Sequence, residues 1–131
     1  IANCIRAGVP IGVGTDLLAS DPLDGTNATV REVELLTEAG MDNLSALAAA
    51  TGNSARLCGI EEKTGTLRPG LEADFIAVDG CPDQCIQDLR NLEFVCKGGS
   101  VVRCQIPGVS LPGFAPLPFG MAPEGASFID W

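Results

Sequence analysis

GVPIGVGTDLLAS, residues 8–20, is the stretch on which the reading of the whole chain turns. Residues 9–14 are apolar or glycine with no polar alternation, which reads as a short strand buried on both faces, as in a parallel sheet. The residues before it, 1–7, read as the end of a helix, and Gly8 accepts the left-handed conformation that closes one. The strand ends on Thr15 and Asp16, so a carboxylate stands at the mouth of the sheet, where α/β proteins gather their chemistry. The plain alternative for Asp16 is a loop or N-cap aspartate that merely follows a strand.

Downstream, residues 17–27 are rich in Ser, Asp, Pro and Gly and read as a loop, with Asp21 and Asp24 as solvated acids rather than ligands. Thr26 or Asn27 can cap a helix over residues 29–39, which places Val30, Val33, Leu35 and Leu36 on one side and ends at Gly40. A second helix starts at Asp42 or Asn43 and carries Leu44, Leu47 and Ala48 at helical spacing; its alanines permit close packing. Gly52-Asn53-Ser54 reads as a break, followed by a short helix over residues 55–57 that stops at Gly59. From Glu61 the character changes. GTLRPG (residues 65–70) is turn chemistry, ADFIAV (73–78) a strand, DGCPDQC (79–85) a loop, and LEFVCKGGSVVRC (92–104) two strands joined at Gly98-Gly99. Asp74 and Asp79 flank a strand and read as turn and edge residues. An α/β half is thus followed by a β half. After Ile106 the chain is loaded with Pro and Gly, which fits either an apolar tail docked on a surface or a disordered one.

Composition narrows the function. With 131 residues, 46% of them hydrophobic, the chain fits one domain and can bury a modest core. No apolar run reaches the roughly 18 residues that span a bilayer, and no basic, apolar leader opens the sequence, so a soluble, cytoplasmic chain is the expectation. Eight basic residues against 17 acidic give a net charge of -9, which disfavours nucleic acid and anionic membranes as partners. There are no histidines, so imidazole chemistry from this chain is excluded. Of six cysteines only Cys81 and Cys85 are close, as CPDQC, and a lone C-x3-C pair is poor support for a zinc site. Cys58 and Cys96 sit in apolar surroundings and read as small core residues, while Cys81–Cys85 or Cys96–Cys104 bridges stay open for an oxidising compartment.

Four blocks in order, GVPIGVGTD, REVELLTEAGMDNLSALAAATGNSARLCGI, KTGTLRPGLEADFIAVDG and FVCKGGSVVR, resemble the C-terminal third of a metal-dependent amidohydrolase of the imidazolonepropionase-like and Xaa-Pro dipeptidase-like subgroup. The resemblance covers residues 8–103. It implies that residues 9–15 are the last strand of a (β/α)8 TIM barrel, with 1–60 the end of that barrel, 61–106 part of a composite β-sandwich domain and 107–131 a Pro/Gly-rich tail. It also implies one or two divalent metals, usually zinc, held by an H-x-H pair on the first strand, further histidines on the fifth and sixth, and often a carboxylated lysine on the fourth. The aspartate of the eighth strand ligates metal and takes a proton from the attacking water; Asp16 matches it. Gly14 would then leave room beside the metal, and Thr15 would orient the site through its hydroxyl.

The departures from that pattern are as informative. The first seven strands, every histidine and the bridging lysine are absent, and one carboxylate cannot hold a catalytic zinc, which takes about three protein ligands plus water. In DPLDGTN (residues 21–27) relatives often carry a histidine before the glycine that contacts substrate, whereas here Asp24 stands near that place. The expectation is therefore a piece of a hydrolase of C–N bonds in small amides, dipeptides or cyclic amides, binding no metal alone and partnered by the rest of a barrel or a complementary chain. The competing expectation is a non-catalytic truncated homologue that serves as an interaction module. In either case the uncovered barrel-facing surface is apolar, and self-association is expected from it.

Overall fold

The computed structural model describes residues 1–16 and 27–109. Residues 17–26, with Asp21 and Asp24, and the tail beyond Val109 lie outside the described residues. Helix α1 spans Ala2–Arg6, and Gly8 follows it at φ +70°. Helix α2, Ala28–Glu38, is capped by Asn27, whose side chain accepts from the Val30 N–H at 2.8 Å. Helix α3, Asn43–Ala48, is capped in the same way by Asp42, which accepts from the Ser45 N–H at 3.0 Å. Each cap satisfies one of the donors that a helix start leaves free, which is why two short sequences hold their helices in place.

The expected break at Gly52-Asn53-Ser54 is not a break. A π-helical turn, Ala49–Asn53, runs directly into helix α4, Ser54–Leu57. Chain direction is kept because a π turn absorbs an extra residue without ending the helix. Beyond α4, strand β1 (Phe75–Val78) pairs antiparallel with β2 (Leu92–Lys97), and β2 pairs antiparallel with β3 (Ser100–Cys104). The hairpin turn is Gly98-Gly99, at φ +55° and +77°, the two-residue left-handed turn whose twist suits adjoining strands. Phe75 and Phe94 stack across β1 and β2 with centroids 5.5 Å apart. Between β1 and β2 the sequence reading missed a 3₁₀ helix, Ile86–Arg90.

The core lies between α2, α3, the π turn and the 3₁₀ helix, built from Val30, Val33, Leu36, Ala46, Ala49, Ile86 and Leu89. Ile11 and Val13 pack against it from the N-terminal segment. Val30, Val33 and Leu36 sit where the periodicity puts them, but Leu35 is exposed, and the buried residue of α3 is Ala46 rather than Leu44. Cys58, expected in the core, is exposed at the end of α4, while Cys96 is buried as expected. All six cysteines are free. Among the described residues no helix is long and apolar enough to cross a membrane.

Candidate functional site

The segment expected as a strand, residues 9–14, runs without forming a β-ladder among the described residues. A parallel strand needs a neighbour on its edge, and β1–β3 pair only with one another. The helices hold the segment instead. The Val9 N–H donates to the Cys4 carbonyl at 3.1 Å, the Val13 N–H to Ser54 Oγ at 3.0 Å and the Ala49 carbonyl at 3.3 Å, and Asn53 Nδ2 to the Ile11 carbonyl at 3.3 Å.

Asp16 stands exposed at the far end of this segment, at φ +44°. Among the described residues it is the sole non-glycine with positive φ. Aspartate tolerates that region better than most residues, yet the conformation still costs energy and collects at functional positions. Gly14 is exposed and has open space around its Cα, and Thr15 is half-buried.

Among the described residues no three Cys, Asp or Glu side chains converge on a point that could hold a metal ion. Asp16 is thus one carboxylate where a catalytic zinc takes about three protein ligands and a water, and the described residues do not by themselves fit such a metal. Cys81 and Cys85 lie exposed in one turn, the Cys85 N–H donating to the Cys81 carbonyl at 2.9 Å and the Cys81 N–H to Asp88 Oδ2 at 2.8 Å, and among the described residues they form part of no three-ligand group. Of the other acids singled out in the sequence, Asp74 and Asp79 lie among the described residues. Asp74 accepts from Lys97 Nζ at 2.7 Å, from the Gly98 N–H at 2.6 Å and from Thr64 Oγ1 at 3.3 Å. Asp79 is bound through its backbone, its N–H donating to the Asn91 carbonyl at 2.9 Å and its carbonyl accepting from Asn91 Nδ2 at 3.0 Å. A surface depression lined by Gly52, Arg56, Glu62, Thr64 and Arg68 does not include Asp16.

The model of the amidohydrolase family matches residues 1–111. The chain belongs to the amidohydrolase family. Among curated relatives, ochratoxinase from Aspergillus niger is 36% identical over 106 residues, 77% of this chain and 21% of the relative. A 5-methylthioadenosine/S-adenosylhomocysteine deaminase from Teredinibacter turnerae is 37% identical over 84 residues, 60% of this chain and 19% of the relative. Among solved structures, a Xaa-Pro dipeptidase with methionine bound in its active site superposes with a TM-score of 0.67 at 37% identity, covering 76% of this chain and 24% of the dipeptidase. The chain therefore spans about a fifth of the length of the curated relatives it matches. The likeness to the dipeptidase places this amidohydrolase chain with the dipeptidase-like subgroup, as its four sequence blocks imply.

What the sequence reading missed at this site is the holding apparatus. Ser54 and Asn53 read as helix breakers, and both turn out to be hydrogen-bonded to the segment that carries Asp16. The signal was present in Gly12: a Cβ there would lie 2.6 Å from Leu57 Cδ1 and 3.0 Å from Ser54 Oγ, so a side chain at this position would press on the side chains of α4.

Proposed function

We propose that this chain is the C-terminal share of a hydrolase that cleaves C–N bonds in small amides, dipeptides or cyclic amides, with residues 1–60 completing a barrel, 61–106 contributing to a β domain and Asp16 facing the substrate. The observation that carries the reading is Asp16 itself: a carboxylate in a left-handed conformation, at the end of an apolar segment docked on helices, in an amidohydrolase chain. A carboxylate there suits hydrolysis because it accepts a proton from water as the water attacks and returns it to the leaving nitrogen. The remaining donors for a divalent metal, zinc by family resemblance, would come from polypeptide beyond the described residues. Such a metal supplies acidification of the water and polarisation of the carbonyl. The apolar side chains left exposed on the helical part, among them Val9, Leu44, Leu57 and Ile60, are what such a partner segment would cover.

The test is reconstitution with the polypeptide that supplies the histidines, followed by metal analysis and an assay of amine release from N-acyl amino acids and dipeptides. Asp16→Asn is expected to lower kcat by about 10²- to 10⁴-fold, the range for loss of a proton-transfer group. Full turnover by Asp16→Asn would overturn the role of Asp16. An assembly that binds no metal and hydrolyses nothing would favour a non-catalytic interaction module.

A further inference from the structure

We infer that the Ser54 hydroxyl is a positioning residue for Asp16, fixing the segment that delivers the carboxylate; the inference rests on the reading of Asp16 given above. Three observations converge on Ser54. Its Oγ–H donates to the Ala49 carbonyl at 2.7 Å, and its oxygen accepts from the Val13 N–H at 3.0 Å, so the hydroxyl is used in both directions. Asn53 next to it donates through Nδ2 to the Ile11 carbonyl at 3.3 Å, and its Oδ1 is held by Arg56 Nη2 at 2.7 Å, which fixes which end of the amide faces Ile11. Gly12 lies between these two contacts with no side chain to hold the backbones apart.

The π turn is what brings the partners together. At 3.6 residues per turn, Ala49 and Ser54 would be about 140° apart around an α-helix. A turn closed between residues five apart stacks them, so carbonyl and hydroxyl meet on the face turned toward Val13. In an extended chain the carbonyl of one residue and the N–H two residues later project from the same edge. Ile11 and Val13 thus present one edge to Asn53 and Ser54. Asp16 lies three residues beyond Val13, about 10 Å of extended chain. A slip of the segment by a fraction of that length carries the carboxylate out of reach of its reaction, where a misplacement near 1 Å costs about 100-fold.

The deciding comparison is Ser54→Thr against Ser54→Val, which match in shape and differ in the hydroxyl; Ser54→Ala serves if valine impairs folding. In the 131-residue chain, amide exchange followed by NMR should show Val13 exchanging severalfold faster in Ser54→Val, where only the longer bond to the Ala49 carbonyl remains, and within about twofold of the parent in Ser54→Thr. The Cys96 amide in β2 should stay unchanged in both. In the reconstituted enzyme Ser54→Val should lower kcat about 10- to 100-fold with KM kept, and Ser54→Thr should restore it. Equal Val13 exchange in the two variants overturns the inference, as does equal kcat where Asp16→Asn abolishes turnover. Full turnover by Asp16→Asn overturns the underlying reading instead, while the exchange data separately report whether Ser54 holds the segment.

Discussion

Arg90 grips Glu34 with two hydrogen bonds, Nε to Oε1 at 2.6 Å and Nη2 to Oε2 at 2.8 Å, across 56 residues of sequence. Glu34 is only 2% exposed, on the buried face of α2, and Arg90 closes the 3₁₀ helix that leads into β2. Arg31 adds a contact to Oε2 at 3.2 Å and reaches Glu38 at 2.8 Å. The pair thus ties the helical half to the β half at the margin of the core. Taking one partner from a buried pair strands the other's charge, whereas replacing both with apolar groups can be neutral. Arg90→Ala is expected to cost about 2 kcal/mol, less than for a fully buried pair because Arg90 is 35% exposed and Arg31 remains. Glu34→Leu combined with Arg90→Met should recover most of it. Urea unfolding midpoints of the three proteins check this; a double variant no more stable than Arg90→Ala would refute it.

The same pair sets a pH dependence. The Arg90 hydrogen bonds hold the Glu34 carboxyl below the usual carboxylate range; burial pushes it up, and Arg31 adds to the lowering. Asp74 is lowered too, chiefly by Lys97 and then by the Gly98 N–H. With folded pKa values below the unfolded ones, the unfolded chain binds more protons as pH falls through the ordinary carboxylate range. The contribution of these groups is therefore complete above that range, near pH 4, and lost as pH drops through the folded values. Unfolding free energy should be nearly level from pH 8 to 6 and fall steeply below about 4.5. Glu34→Gln should flatten the fall, and an unaltered slope in that variant would contradict the assignment.

Asp74 pins the β2–β3 hairpin through the Gly98 N–H and reaches Lys97, which is 63% exposed. An exposed ion pair is worth little, while a short charge-assisted bond to a turn's backbone N–H contributes more, even where water can replace it. Asp74→Ala should destabilise the chain by about 1 kcal/mol, and Lys97→Met by less than about 0.5 kcal/mol. Amide exchange at Gly98 should quicken in the first variant and not in the second. Equal effects would mean that the charge pair, not the turn, is what Asp74 serves.

How much of this was legible beforehand follows from how far each signal reaches along the chain. Asn27 and Asp42 cap helices through bonds to residues three positions on, and Gly98-Gly99 makes its turn from its own two φ angles. Such features are written within a few residues, so the sequence shows them directly. The family likeness of the four blocks, and Asp16 as the acid at the end of the apolar segment, were legible for the same reason. The 3₁₀ helix was hidden because DGCPDQC carries turn residues and Ile86-Gln87-Asp88-Leu89 is too short to show a period.

By itself, then, the sequence determined the helices with their caps, the hairpin, the absence of imidazole and the family to which the chain belongs. Tertiary structure decided the rest: that residues 9–14 dock on a π turn and join no ladder among the described residues, that Ser54 and Asn53 hold them, that Glu34 meets Arg90, and that Ala46 is inside while Leu44 and Cys58 are out. The physical reason is separation. Ser54 is 41 residues from Val13 and Arg90 is 56 from Glu34, and nothing local records that groups so far apart in the chain will be hydrogen-bonded.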